Sequence, residues 1–288
     1  MKELPLTAWV TKPKIKQGDW KYEYFQTVEQ LQEEIKKPFE EKLRRSRQLV
    51  KFFAKHDNAS ISCSFGKDSI VVLHLCLEEN PRIKVVFNNT GVEFVETMKL
   101  MRTLRDSWNL NLSELRPEKG VTFYTVNDRI IKESLNMDNG KKHSNICCYH
   151  IKEKPFTLWA RALGVSKNYT GLTALESRNR FWTACQKGQE YYSWKMGVWK
   201  VHPILYWTEQ EVWNFIKDNR LPINEAYAKY DLDRIGCLPC MSYKTWKPTL
   251  SRIAPKLYCY ICKRYCKYRG IQDPEYYQEK AEEVEIYA

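Results

Sequence analysis

Residues 58–75 read Asn58-Ala-Ser-Ile-Ser-Cys-Ser-Phe-Gly-Lys-Asp-Ser-Ile-Val-Val-Leu-His-Leu75. Residues 59–64 predict a short strand, and the apolar run over 70–77 has helical spacing. Between them Phe65-Gly66-Lys67-Asp68-Ser69 predicts a tight turn. Strand, glycine turn and helix N-terminus bring free backbone N–H groups and the positive end of the helix dipole to one loop, which suits a phosphate. Lys67 adds a mobile positive charge and Ser69 a hydroxyl. The Walker A pattern is not met, because Ile61 stands where its first Gly belongs and Asp68 follows the lysine. The bland alternative is an ordinary strand-to-helix turn capped by Asp or Ser.

Outward from this loop, strand and helix patterns alternate. Lys84-Val-Val-Phe-Asn-Asn-Thr90 predicts a buried strand that ends in Gly91-Val-Glu-Phe-Val-Glu-Thr97, and helical spacing follows to Trp108. Residues 110–115 predict a third strand and 121–135 a helix. After a polar link at 141–143, helical character returns up to Leu163. Residues 168–173 and 199–205 predict two more strands. Thr208-Glu-Gln-Glu211 is a capping box that starts a helix through Asp218. This order predicts an α/β fold with a doubly wound, mostly parallel sheet. Ligands of such sheets bind beyond the carboxyl ends of the strands, where both 64–69 and 88–93 fall.

Three regions are expected: a basic, partly helical N-terminal extension (1–57), a nucleotide-binding domain (58–245) and a C-terminal helical tail (246–288) broken at Gly270 and Pro274. Within the extension, residues 27–53 have helical spacing. Lys42, Arg44, Arg45, Arg47 and Lys51 there predict a solvated basic face, with polyanion contact as the alternative. The 288 residues suffice for a full α/β core, and the formal charge of +12 permits nucleotide or nucleic-acid binding without choosing between them. No run of about 18 apolar residues and no signal pattern occurs, so a cytoplasmic protein with no membrane association is expected.

Ten cysteines in such a protein point to metal or thiol chemistry before disulfides. Cys147-Cys148 and Cys237-x-x-Cys240 form two tight pairs. Four thiolates suit zinc or an iron–sulfur cluster. Adjacent cysteines fit a zinc ribbon poorly and a cubane better, since each thiolate then meets its own iron. Four small buried apolar residues are the structural alternative, but that predicts scattered thiols.

The loop Ser-x-Gly-x-Asp-Ser resembles the pyrophosphate loop of the adenine nucleotide alpha-hydrolase superfamily. Over roughly residues 58–245 the order of motifs is similar to the PAPS/APS (phosphoadenosine or adenosine phosphosulfate) reductase family. The motifs are the phosphate loop, Asn-Thr-Gly-x-Glu-Phe-x-Glu-Thr, Cys-Cys-x-x-x-Lys-x-x-Pro, Thr-Gly-x-x-x-x-Glu-Ser-Arg, Pro-Ile-x-x-Trp-Thr-x-x-x-Val-Trp and Gly-Cys-x-Pro-Cys. The resemblance implies a 4Fe–4S cluster held by Cys147, Cys148, Cys237 and Cys240 next to the nucleotide, with Lys152 as the basic residue beside it. It implies nucleotide contacts from Ser62, Ser64, Phe65, Gly66, Lys67, Asp68, Ser69, Asn89, Thr90, Gly91, Glu93, Thr170, Gly171 and Glu176. Arg178 and Arg180 fall where the family holds sulfate or phosphates.

Two departures stand out. The family's C-terminal Glu-Cys-Gly-x-His nucleophile motif is missing, and the Lys67 loop is closer to the ATP-cleaving branch. Among the thiols outside the cluster pairs (Cys63, Cys76, Cys185, Cys259, Cys262 and Cys266), Cys259 and Cys262 are the expected nucleophiles, with Lys263 and Arg264 favouring the thiolate. Their bland role is packing along one helix face. Three functions are implied. The first is reduction of PAPS or APS to sulfite through a cysteine thiosulfonate, with a thioredoxin-like reductant. The second is an ATP pyrophosphatase using Mg2+ to activate a nucleic acid for sulfur transfer, with a cysteine desulfurase as partner. The third is a non-catalytic nucleotide and iron–sulfur sensor. A homo-oligomer is compatible with each.

Overall fold

A computed structural model of the chain describes residues 26–54, 58–135, 143–242 and 245–269. In chain order the elements are α1 (Val28–Lys36), α2 (Phe39–Ala54), β1 (Ala59–Ser62), α3 (Lys67–Glu79), β2 (Lys84–Asn88), α4 (Val95–Ser107), β3 (Leu112–Leu115), α5 (Phe123–Leu135), α6 (His143–Cys148), α7 (Lys154–Ala162), β4 (Lys167–Thr170), α8 (Arg178–Lys187), β5 (Glu190–Ser193), β6 (Val198–Val201), α9 (Glu209–Asp218), α10 (Ala226–Tyr230), α11 (Trp246–Ile253) and α12 (Pro255–Arg269). The sheet has the order β3-β2-β1-β4-β6-β5. Parallel ladders join β1 to β2, β1 to β4 and β4 to β6, while β5 runs antiparallel to β6. The doubly wound, mostly parallel sheet is therefore as expected.

The chain folds as two compact units, each drawn from three sequence segments. One spans Met1–Val86, Asn109–Leu112 and Ala160–Pro222; the other spans Phe87–Trp108, Ser113–Trp159 and Ile223–Ala288. In the first unit α3 is buried almost throughout, with Ile70, Val71, Val72, Leu73, Leu75 and Cys76 all sequestered. Each such aliphatic contributes roughly 1.5–3 kcal/mol by burial, so this helix anchors the loop that precedes it. The core of the second unit gathers Phe123, Ile130, Ile151, Leu250 and Ile261.

Several elements depart from expectation for local reasons. The single helix over 27–53 is two helices, because Pro38 lacks the N–H that would continue α1. Its carbonyl instead accepts from Glu41 and Lys42. Lys42 is not on a solvated face. It is 4% exposed and donates to Glu211 Oε2 at 2.7 Å and the Ile35 carbonyl at 2.9 Å. The edge strand β5 carries no alternating apolar signal; all four of its residues are half-buried. The strand over 199–205 is shorter because Pro203 cannot donate to a ladder. The Thr208–Glu211 capping box is present as expected. The tail begins as two helices, with Pro255 at the first position of α12, where its missing N–H costs nothing. The break expected at Gly270 and Pro274 lies outside the described residues. Among the described residues no helix is long and apolar enough to cross a membrane.

Candidate functional site

The site residues expected from sequence fall into two groups, one in each unit. In the first unit, β1 leads into Cys63-Ser64-Phe65-Gly66 and then α3. Phe65 takes φ 56°, a left-handed conformation that is costly for an aromatic residue. Complete burial of its ring holds it there. From Gly66, α3 starts with no side-chain hydrogen bond at its N-cap, so the positive end of its dipole faces the loop without a capping side chain. Ser69 Oγ donates to the Gly66 carbonyl at 2.9 Å and lies 3.3 Å from Ser64 Oγ. Cys63 Sγ donates to Ser69 Oγ at 3.6 Å, and burial pushes the Cys63 thiol up to about 11.

Lys67 Nζ lies 3.2 Å from Asp68 and 3.4 Å from Glu209. Its charge is thus matched inside the protein. Burial raises the Asp68 carboxyl above its ordinary range, against the pull of Lys67; Glu176 raises it further and Arg180 lowers it. Glu176 and Arg180 pair across one turn, and Ser177 caps α8 by accepting from the Arg180 N–H at 3.3 Å. Arg178 is exposed on the first turn of that helix.

The end of β4 closes on this loop. Paired residues of parallel strands share a face, so the register sets Ser60 beside Asn168 and Ser62 beside Thr170. Ser60 and Ser62 donate to Asn168 Oδ1 at 3.0 and 3.1 Å. Gly171 follows, and a Cβ there would lie 2.6 Å from the Ser69 backbone nitrogen. Only glycine allows this approach. Asn168 and Glu209 therefore join the residues read from sequence. No local signal marks them, because strand register and the meeting of α9 with the loop are tertiary.

In the second unit, the two other motifs meet. Asn89 Nδ2 donates to Glu114 at 2.8 Å, and its Oδ1 accepts from the Gly91 N–H at 2.9 Å. Gly91 needs its φ of 79° for that turn. Thr90 Oγ1 donates to Glu93 Oε1 at 2.7 Å and lies 3.4 Å from Cys237 Sγ. Glu93 and Cys237 form an antiparallel bridge, and the Leu238 N–H donates to the Val92 carbonyl at 2.9 Å. Backbone pairing thus joins Asn-Thr-Gly-x-Glu to Gly-Cys-x-Pro-Cys.

Cys147 and Cys148 close α6 just before a π-helical turn, Tyr149–Glu153, in which the Lys154 N–H donates to the Tyr149 carbonyl. Pro155 accounts for the widening: it brings no N–H for the Ile151 carbonyl, and its ring would crowd that group in a tight turn. The turn carries Lys152. Burial first, then Cys148, with Cys237 and Cys240 behind it, push the Cys147 thiol up to about 12 against the hydrogen bond from Asn127. Burial also raises Cys148 and Cys237, with Lys152 opposing in both cases. The expected four cysteines and Lys152 therefore act on one another.

Among the described residues no three Cys, His, Asp or Glu side chains converge on a single metal ion. One zinc would need all its thiolates about 2.3 Å away. A cubane asks for wider separation, one thiolate per iron, and this donor set fits that group. Asn127 Nδ2 donates to Cys147 Sγ at 3.5 Å, a partner the sequence did not indicate.

The remaining thiols divide by burial. Cys63, Cys76 and Cys185 are buried, Cys185 within α8. Cys262 is 3% exposed, whereas Cys259 is half-buried, both on α12. Arg264 does not serve a neighbouring thiolate: it donates to Asp128 at 2.9 Å and lies against the Tyr124 and Tyr260 rings. The side chain of Cys266 lies outside the described residues.

The phosphoadenosine phosphosulfate reductase domain matches residues 58–243. An adenosine 5'-phosphosulfate reductase of Staphylococcus epidermidis is 34% identical over 182 residues, covering 63% of this chain and 69% of its own. One from Bacillus cereus is 30% identical over 186 residues, covering 64% and 73%. Among solved structures, the phosphoadenylyl-sulfate reductase of Candida auris superposes with a TM-score of 0.51 at 16% identity, covering 73% of this chain and 93% of that one. The FMN adenylyltransferase of Candida glabrata gives 0.52 at 13% identity, covering 74% and 69%. These two likenesses show the fold alone.

Proposed function

Because the chain belongs to the phosphoadenosine phosphosulfate reductase domain family, we propose that it reduces an adenylyl sulfonucleotide, APS or PAPS, to sulfite. The observation that carries this reading is the joining of Thr90 and Glu93 to Cys237 in the unit that also gathers Cys147, Cys148 and Lys152. Cys147 and Cys237 lie in one buried cluster with Cys240 packed against it, so the two cysteine motifs, distant in sequence, are brought together.

The N–H groups at the start of α3, with Ser64 and Ser69, hold the α-phosphate side of the phosphosulfate. Ser62, Thr170, Gly171, Glu176, Arg178 and Arg180 complete the nucleotide contacts of this unit. Cys147, Cys148, Cys237 and Cys240 hold a 4Fe–4S cluster. When bound, that group supplies a fixed electrostatic field and needs no change of oxidation state.

A cysteine thiolate attacks the sulfate sulfur. The S–S bond forms as the S–O bond to the nucleotide phosphate breaks, and the adenine nucleotide leaves with that electron pair. A thioredoxin-like dithiol then attacks the cysteine sulfur, releasing sulfite with the S–S electron pair. Its second thiol closes a disulfide and returns the cysteine. Cys259 is the assigned nucleophile, because Cys262 has almost no access to solvent.

The ATP pyrophosphatase reading rests in part on Lys67 as a charge for a triphosphate and Mg2+, beside the basic N-terminal helix and the missing Glu-Cys-Gly-x-His motif. Pairing with Asp68 and Glu209 neutralises that charge locally, so this reading is the weaker one. The deciding experiment gives anaerobic protein APS, PAPS or ATP together with thioredoxin and its reductant. Sulfite from APS or PAPS is expected. AMP and pyrophosphate from ATP, without sulfite from either sulfonucleotide, would overturn the proposal.

A further inference from the structure

We propose that His202 is a positioning residue for the nucleotide: its imidazole orients the Thr170 hydroxyl so that this hydroxyl donates to an acceptor atom of the bound ligand. The inference rests on the nucleotide-binding role proposed above for the loop at the start of α3.

His202 follows β6, and its backbone N–H donates to the Gln189 carbonyl at 2.7 Å. The ring is 3% exposed, and Nδ1 lies 2.6 Å from Thr170 Oγ1. Nε2 is buried and has no partner among the described residues. The Tyr191 ring lies 5.7 Å from the imidazole, and burial first, then the cations Lys200, Arg180 and Lys187, hold its pKa down to about 3. The imidazole is therefore neutral at any ordinary pH and has one N–H to place.

Two tautomers are available. With the proton on Nε2, a buried N–H would have no acceptor while Nδ1 accepted from Thr170. With the proton on Nδ1, that N–H donates to Thr170 Oγ1 and only a lone pair is left unused at Nε2. An orphaned buried donor is the rarer and costlier defect, so the Nδ1–H tautomer holds. Thr170 then accepts from His202, and its own proton has no acceptor among the described residues. Thr170 is half-buried, pairs with Ser62 across the ladder, and immediately precedes Gly171, whose backbone lies against Asp68 and Ser69. A hydroxyl proton with a fixed direction thus stands at the edge of the loop, a specific use for a histidine that has no proton to exchange.

The test is a double-mutant cycle read by calorimetry with AMP and APS as titrants. His202→Phe and Thr170→Val should each weaken binding roughly three- to tenfold, the worth of one hydrogen bond. The double variant should be no weaker than either single one, since both remove the same donor. Multiplicative losses, or unchanged affinity in a folded His202→Phe protein, would overturn the inference. Long-range proton–nitrogen spectra of histidine-labelled wild-type protein need no variant at all. They should show Nδ1 protonated and Nε2 bare from pH 5 to 8, and an Nε2–H tautomer overturns it. If wild-type protein binds neither AMP nor APS, the nucleotide reading itself fails and takes this inference with it. Binding in wild type with no effect of His202→Phe removes only the inference.

Discussion

Gly171 has no room for a side chain because of Asp68: an added Cβ would lie 2.5 Å from the Asp68 carbonyl carbon and 2.6 Å from its oxygen. Both are backbone atoms in the first turn of α3, so no rotamer change relieves the collision. Gly171→Ala should push the phosphate loop out of place. The expected outcome is a loss of nucleotide affinity of more than about tenfold, with destabilisation of about 1–3 kcal/mol from overpacking. Calorimetry and thermal melting read the two effects separately, and unchanged affinity would mean that the loop does not hold the nucleotide.

The cysteine pairs predict one oxygen-sensitive 4Fe–4S cluster per chain. Anaerobically isolated protein should be brown, with iron and acid-labile sulfide in equal amounts and no stoichiometric zinc. Cys240→Ser should lose most of both. Zinc without sulfide would sink the prediction.

Replacement of the two α12 thiols should have different consequences. Cys259→Ser should eliminate both sulfite formation and a covalent thiosulfonate detectable by mass spectrometry, while iron content and nucleotide affinity persist. Cys262→Ser replaces a buried sulfur by a hydroxyl and should lower stability by about 1–3 kcal/mol with activity retained. Full activity in Cys259→Ser would place the nucleophile elsewhere.

Lys42 ties α2 to Glu211 of the capping box that starts α9. Its partner Glu211 is itself held by the Thr208 N–H at 2.7 Å. Lys42→Met removes one half of a largely buried ion pair, a change that typically costs about 3–5 kcal/mol. Denaturant melts should show this loss, and the double replacement Lys42→Met with Glu211→Gln should recover part of it. A loss below about 1 kcal/mol would show the pair to be a surface contact in effect.

Glu190 gives a pH prediction. Burial pushes its carboxyl up to about 7, with only a small opposing pull from Arg45, and Oε2 has no partner among the described residues. The folded state holds this proton where the unfolded chain, near 4.5, has released it. The contribution of Glu190 to stability therefore declines as pH rises from about 4.5 to about 7. Glu190→Gln removes that slope. It should match wild type at pH 4 and exceed it at pH 8; a variant less stable than wild type at pH 8 would contradict the assignment.

Much of this protein is legible in local patterns. The alternation that predicts the sheet, the Thr208–Glu211 box and the strand–glycine–helix loop each depend on residues within a turn or two of one another. The paired spacing of the cysteines likewise marks out the two motifs, Cys147-Cys148 and Cys237-x-x-Cys240, before any fold is known. These signals survive folding because their physical cause is local: side-chain periodicity, a cap's reach, a glycine's freedom.

Other features required the tertiary structure. Lys42 reads as one more cation on a charged helix and becomes buried only because Glu211 arrives from α9. His202 reads as an ordinary residue before Pro203, and its partner Thr170 is set by the register of β4 and β6. The bridge between Glu93 and Cys237 joins segments far apart in the chain. The π turn under Lys152 follows from Pro155, yet its effect depends on Cys147 and Cys148 meeting Cys237. In each case the deciding term is desolvation or pairing between distant segments, and such terms take their value only when the fold has chosen which groups leave water together.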